Sequence, residues 1–309
     1  MIQEIPKIDY KIIQDRKNEL YKSELSKFKY AVSNYGFLLL KNTPITKGIK
    51  KNIFKTYREF FKLPHVYKNK VNMANTLSNR GWGAPLVEQV NKNYNPDYKE
   101  IFDCGSEKDQ NVSFSELTYY SKNLWPEELP NFKKEITEYF EICTEIAMNL
   151  LSFIELSLEI SNNFFRDKFE NPMSLLRCNY YPPRKSNLSD KDYGVAPHTD
   201  YGCLTLLVTD DNPGLEIKNP FNKWELVIPE PEDIVVNFGD MIEMWSKNKI
   251  KATSHKVFGN RKERFSIPFF FNPQFDTIIS EENGIVAGEY LSSIYNSTYL
   301  HKNNKGGIN

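Results

Sequence analysis

Ala196-Pro197-His198-Thr199-Asp200-Tyr201-Gly202-Cys203-Leu204-Thr205-Leu206-Leu207 is the stretch on which the fold of this chain turns. It joins a His and an Asp, two residues apart, to an apolar run with the length of a buried strand. Side chains two apart on a strand point to the same face. His198 and Asp200 are therefore expected to reach one ion. From Leu175 onward, short β-branched and aromatic runs alternate with Pro, Gly, Asn and Asp clusters. Residues 204–209, 224–228, 234–238, 253–258 and 265–271 are the predicted strands. In the second of these, Trp224, Leu226 and Ile228 alternate with Glu225 and Val227, the pattern expected of a half-buried strand. Many short antiparallel strands of this spacing predict a mainly β fold with flanking helices, its core a double-sheet jelly roll or a barrel.

Upstream the texture is different. Residues 27–33 read as the end of a helix broken at Tyr35-Gly36, and Phe37-Leu38-Leu39-Leu40 as a short buried strand. Residues 53–61 read as a helix stopped at Leu63-Pro64. After Pro130, Phe132, Ile136, Phe140, Cys143, Ala147, Leu150, Ile154 and Leu158 recur in steps of three and four. That spacing predicts one long helix with its stripe against a sheet. The organisation expected is a single domain over 1–309. Residues 1–170 form a mostly helical cover with a few strands, 171–280 the jelly-roll core, and 281–309 a helix and tail.

The chain has 309 residues, 40% hydrophobic and 26% charged, enough for a sizeable core. Forty basic residues balance forty acidic ones, which gives no support for a nucleic-acid or membrane-surface partner. The N-terminus MIQEIPKIDYK lacks the apolar run of a signal peptide, and no stretch of about 18 apolar residues exists. Cys104, Cys143, Cys178 and Cys203 are scattered with no CxxC, as reduced thiols of a cytoplasmic protein would be. The first strand is not followed by a glycine-rich phosphate loop, so a dinucleotide fold is not indicated.

The chemistry lies in the histidines. Of His65, His198, His255 and His301, the second stands beside Asp200 and the third in Thr253-Ser254-His255-Lys256-Val257, on a later predicted strand. An HxD pair alone arises often by chance. Folding the two strands together adds the third ligand. Two imidazoles and a carboxylate are the facial set that holds Fe(II) while leaving three positions open. Nine residues past His255 comes Arg264-Phe265-Ser266. Arg264 and Ser266 share a strand face, and an Arg with a hydroxyl beside it grips a carboxylate. The apolar neighbours Phe265, Ile267 and Phe269 to Phe271 speak against a surface position for Arg264. His65, after a helix-ending Pro, reads as surface, and His301 as part of a frayed polar tail. Asp240 reads as a turn residue and Trp245 as core.

These residues resemble the 2-oxoglutarate/Fe(II)-dependent dioxygenases related to isopenicillin N synthase. The similarity runs through Ile5-Pro6-Lys7-Ile8-Asp9, Glu59-Phe60-Phe61-Lys62-Leu63-Pro64, Arg80-Gly81-Trp82 and Leu176-Arg177-Cys178-Asn179-Tyr180-Tyr181-Pro182-Pro183. It continues through Pro197 to Leu207, Asn237-Phe238-Gly239-Asp240-Met241 and Arg264-Phe265-Ser266-Ile267-Pro268-Phe269-Phe270. At Thr43 and Pro44 the chain departs from the family's usual His and Gly.

The resemblance implies a double-stranded β-helix (cupin-like jelly-roll) core with iron between its two sheets, held by His198, Asp200 and His255. It implies the far carboxylate of 2-oxoglutarate on Arg264 and Ser266, with Asn179 and Tyr181 lining the co-substrate pocket. Fe(II), 2-oxoglutarate and O2 are the implied cofactors, with ascorbate as an auxiliary reductant. The implied reaction is oxidation of an unactivated C–H bond of a small molecule, by hydroxylation, desaturation or cyclisation, releasing succinate and CO2. Arg80, Arg177 and Phe271 are the candidate substrate residues. A carboxylate-bearing substrate is expected if Arg80 faces the iron, and the protein is expected to act as a monomer. The substrate pocket is expected to draw on the N-terminal helices, the 80–85 loop and the segment after Phe271. An iron oxidase that takes no 2-oxoglutarate, and a non-catalytic jelly-roll binding protein, remain as alternatives. A zinc hydrolase needs a general base near the metal, and the sequence offers no clear one.

Overall fold

The computed structural model describes residues 4–75, 80–107, 117–161, 163–184, 191–258 and 262–298. His301 and the rest of the tail lie outside the described residues. The strands are β1 (Lys7–Asp9), β2 (Phe37–Lys41), β3 (Gly81–Gly83), β4 (Glu100–Gly105), β5 (Leu175–Tyr181), β6 (Tyr193–His198) and β7 (Leu204–Thr209). They continue as β8 (Leu215–Lys218), β9 (Trp224–Leu226), β10 (Ile234–Phe238), β11 (His255–Phe258), β12 (Arg264–Phe271), β13 (Ile278–Ser280) and β14 (Ile285–Val286). Eight of them form a major sheet in the order β1-β2-β10-β7-β12-β5-β4-β3. A minor sheet, β6-β11-β8-β9, faces it, and β13 pairs with β14. Two facing sheets, antiparallel except where β1 joins β2 in parallel, are the jelly-roll solution to burying one face of each sheet.

Helices α1 (Tyr10–Gln14), α2 (Tyr21–Tyr30), α3 (Lys47–Phe61), α4 (His65–Lys68), α5 (Leu117–Tyr120), α6 (Phe132–Ser157), α7 (Asp240–Trp245) and α8 (Ala287–Thr298) complete the fold. The stripe on α6 does what its spacing demands. Phe132, Ile136, Cys143, Ala147, Leu150 and Ile154 are buried, and Phe140 meets Phe269 of β12 edge-on at 5.0 Å. Helix α2 runs into a π-turn at Ala31–Tyr35 and stops at Gly36, whose φ of +67° is costly for any residue with a Cβ. The turn feeds the chain directly into β2.

Strand β12 shows how the sheet divides its two faces. Arg264, Ser266, Pro268 and Phe270 point into the space between the sheets, while Phe265, Ile267, Phe269 and Phe271 pack into the core cluster that includes α6. This is the two-residue period expected of a strand covered on both sides. Arg264 is paired across the sheet with Tyr181, and Ser266 with Asn179.

Four local readings of the sequence need correction. On β9 the faces are inverted. Trp224, Leu226 and Ile228 are 38%, 38% and 71% exposed, while Val227 is 3% exposed. As the edge strand of the minor sheet, β9 turns its outer face to solvent. Glu225 is held inward by hydrogen bonds from Tyr35 Oη and Asn219 Nδ2. Asp200 is not on a strand with His198, because β6 ends at His198 and Asp200 sits in the loop beyond it. Asp240 is the first residue of α7, and Trp245 is half-buried against Phe164, Phe165 and Phe169.

Candidate active site

The histidines come together by strand register. β6 and β11 pair antiparallel with His198 directly opposite His255, and their ring centroids lie 4.3 Å apart. Each Nδ1 sits near a backbone carbonyl, Ala196 O at 2.7 Å and Thr253 O at 3.1 Å. A carbonyl only accepts, so each Nδ1 donates to it and each Nε2 is turned toward Asp200; burial lowers His255, but the Asp200 carboxylate beside it outweighs burial and raises it. The Nε2 atoms converge on Asp200 Oδ1, at 3.8 Å from His198 and 3.6 Å from His255. One ligand atom from each of the three residues lies within 4.8 Å of the other two.

The Asp200 loop is held in place by the turn that leads into α7. Asp240 N donates to Asp200 O at 2.8 Å, and Thr199 Oγ1 donates to Asp240 Oδ2 at 2.9 Å. A Cβ on Gly239 would stand 2.5 Å from Asp200 O, so only glycine permits this approach. Thr205 Oγ1 and Asn237 Nδ2 both donate to Asp200 Oδ2 at 2.6 Å. They satisfy that oxygen and turn Oδ1 toward the imidazoles, the orienting role that outer partners play around a metal. Burial pushes the Asp200 carboxyl up, but the two imidazoles and its hydrogen bonds outweigh burial and hold it well below the usual range. Burial, reinforced by His255, lowers His198 to about 3, so its ring is neutral and available to a metal.

A cavity of about 130 Å3 opens from this cluster between the two sheets. Leu175, Arg177, Asn179 and Tyr181 of β5 line it with a period of two, beside the β12 series on the same sheet. Arg264 is 1% exposed. Its Nε donates to Asn212 O at 3.2 Å, and its guanidinium lies 5.1 Å from the Tyr181 ring centre. Its Nη1 has no hydrogen-bond partner among the described residues, and neither does Asn179 Oδ1. Asn179 Nδ2 donates to Ser266 Oγ at 3.2 Å. A buried guanidinium nitrogen left unpaired at a cavity wall suits an incoming carboxylate.

The other candidates divide. Arg177 lines the cavity, but its guanidinium is clamped by Asp103 at 2.8 and 2.6 Å and by Glu88 at 2.8 Å. Arg80 is buried away from the cavity and donates to the carbonyls of Tyr119 and Ser106. Phe271 packs against Phe169, while its neighbour Phe270 faces the cavity. His65 is exposed and meets Trp82 edge-on. The cavity draws on one of the three places expected, the segment after Phe271. The helices and the 80–85 loop give way to Glu88, Val90 and Lys99, and the C-terminal part contributes Asn272, Tyr295 and Thr298. Sequence reasoning passed over Thr205, Asn237, Glu88 and Lys99. A signal existed for Lys99: it opens a run with Glu100 and Asp103 set among the strand residues Ile101, Phe102 and Cys104.

Two imidazoles and one carboxylate in a jelly roll, beside a cavity with a partnerless guanidinium nitrogen, define the class of facial-triad oxygenases. Comparison with known proteins narrows this. Residues 172–273 match the 2OG-Fe(II) oxygenase superfamily, and residues 5–128 match the N-terminal region described as non-haem dioxygenase in morphine synthesis. A homoarginine-6-hydroxylase of Arabidopsis thaliana is 31% identical over 81% of this chain and 76% of its own length. One from Glycine max is 32% identical over 81% and 77%. A Neurospora crassa protein crystallised with 2-oxoglutarate superposes with a TM-score of 0.82 at 28% identity, covering 95% of this chain and 96% of that one. The chain belongs to the 2-oxoglutarate/Fe(II)-dependent oxygenases. It is an oxidoreductase whose cofactors are Fe(II) and 2-oxoglutarate. Among the described residues no helix is long and apolar enough to cross a membrane.

Proposed function

We propose that His198, Asp200 and His255 hold the ferrous ion, and that Arg264, Ser266, Asn179 and Tyr181 hold 2-oxoglutarate. The carrying observation is the unpartnered buried Arg264 Nη1 in the cavity that the three ligands floor. With 2-oxoglutarate and dioxygen bound, the iron supplies the oxidising power that removes hydrogen from an unactivated C–H bond, while succinate and CO2 leave. The protein's own part is positional. The carbonyls of Ala196 and Thr253 fix the imidazole tautomers, Thr205 and Asn237 aim Asp200, and Arg264 anchors the co-substrate at its far end. Leu175, Leu204, Pro268 and Phe270 exclude water from the reacting bond.

The whole chain acts as one oxygenase unit, since β1 to β4 share the major sheet with β5, β7, β10 and β12. Four buried free thiols support a reducing, cytoplasmic setting. The substrate is a small polar molecule. Relatives include homoarginine hydroxylases, and the Neurospora protein has also been crystallised with thymine at a TM-score of 0.81. The test is succinate formation from 2-oxoglutarate by iron-loaded protein under air. A slow rate without added substrate is expected, and it disappears in Asp200→Ala. An equal rate in that variant would overturn the reading.

A further inference from the structure

One wall of the cavity carries a buried charge cluster made of none of the residues assigned to iron or 2-oxoglutarate. Glu88, Asp97, Lys99, Asp103 and Arg177 are each at least nine-tenths buried. Lys99 Nζ stands 3.0 Å from both Glu88 Oε2 and Asp97 Oδ2. Arg177 bridges Glu88 and Asp103, its cross-strand partner on β4. Arg80, behind the wall, acts on Asp103 through space. Three cations thus meet three carboxylates. Burying such a set costs more than apolar residues of the same size would, and Glu88, Lys99 and Arg177 face the cavity.

We propose that this wall selects an uncharged substrate presenting a hydrogen-bonding edge, an amide or ureide, and that Lys99 donates to its carbonyl oxygen. The proposal rests on the oxygenase reading and names the substrate class of that site. An ammonium has three donors, and Lys99 spends two of them on Glu88 and Asp97. The third is left for the cavity that Lys99 lines together with His198 and Asp200. A substrate carboxylate at Lys99 would sit beside two fixed carboxylates in a medium that screens poorly, and repulsion would offset the attraction. A substrate cation at Glu88 would face Lys99 and Arg177 in the same way. A neutral carbonyl gains the hydrogen bond without upsetting the balance.

The test offers a panel of small molecules to the protein: thymine and 2-pyrrolidone as uncharged members, pentanoate as an anion, and homoarginine as a charged amino acid. Two readouts are used, calorimetric binding to the iron-free protein and 2-oxoglutarate consumption by the iron-loaded protein. The expected result is binding of uncharged members only, with 2-oxoglutarate consumption raised at least about tenfold by one of them. Lys99→Met should raise KM for that member about tenfold, the loss of one hydrogen bond to a charged donor, with a smaller change in kcat. Glu88→Gln leaves the wall net positive and should admit pentanoate, which guards against a Lys99 variant that fails to fold. Preferential binding of pentanoate or homoarginine to the unaltered protein overturns the proposal, and so does a panel in which nothing binds. The calorimetric readout needs no turnover. Absence of any 2-oxoglutarate consumption would therefore count against the oxygenase reading alone.

Discussion

At Asp200 the two carboxylate oxygens have different duties, and substitution can separate them. Asp200→Ala, like His198→Ala, removes a ligand and should abolish iron retention and turnover together. Thr205→Ala or Asn237→Ala leaves Oδ1 in place but frees Oδ2 from one of its two 2.6 Å donors. Iron affinity should then fall by about 10–100-fold, read by competition with a chelator, because outer partners of metal ligands carry effects of that size. At Arg264 the expectation is the reverse. Arg264→Ala should weaken 2-oxoglutarate by roughly 10–150-fold, the value of one or two charge-assisted hydrogen bonds, with iron affinity preserved. Equal loss of both would contradict the division of labour. His198, Asp200, His255, Arg264 and Ser266 were all legible in the sequence, because a spacing of two on or beside a strand is written directly in residue order. Thr205 and Asn237 were not, since each acts through Asp200 from a different strand.

At the scale of the element, alternation gives the period of a strand but not which face is inside. On β12 the arginine and serine among phenylalanines settled the matter, and Phe265, Ile267, Phe269 and Phe271 are buried as that pattern requires. On β9 the larger apolar side chains misled, because an edge strand can expose them when its partner Val227 already fills the interior. Val227→Ala should therefore cost about 1–3 kcal/mol of stability, while Ile228→Ser stays within about 0.5 kcal/mol, both measured by urea denaturation. The opposite ranking would mean that β9 packs with its other face inward. The long helix was legible throughout, since eight apolar positions in steps of three and four outweigh any local ambiguity. Leu150→Ala in its buried stripe should cost about 2–5 kcal/mol in the same measurement.

At the scale of the whole molecule, the iron site is written in two short segments, whereas the substrate side is assembled from pieces with no common period. Glu88 and Lys99 come from the chain between β3 and β4, Arg177 from β5, and Tyr295 and Thr298 from α8. Only closure of the fold brings them to one cavity, so their shared role is invisible in residue order. The central claim, a ferrous centre with positions open for 2-oxoglutarate, has a direct optical test. Iron-free protein is loaded anaerobically with one equivalent of Fe(II) and titrated with 2-oxoglutarate, and the weak visible charge-transfer band of the chelate is followed. The account predicts a band that saturates at one equivalent in the unaltered protein, needs a far higher 2-oxoglutarate concentration in Arg264→Ala, and is absent in Asp200→Ala. A band of undiminished strength in Asp200→Ala, or none in the unaltered protein with its iron bound, would contradict it.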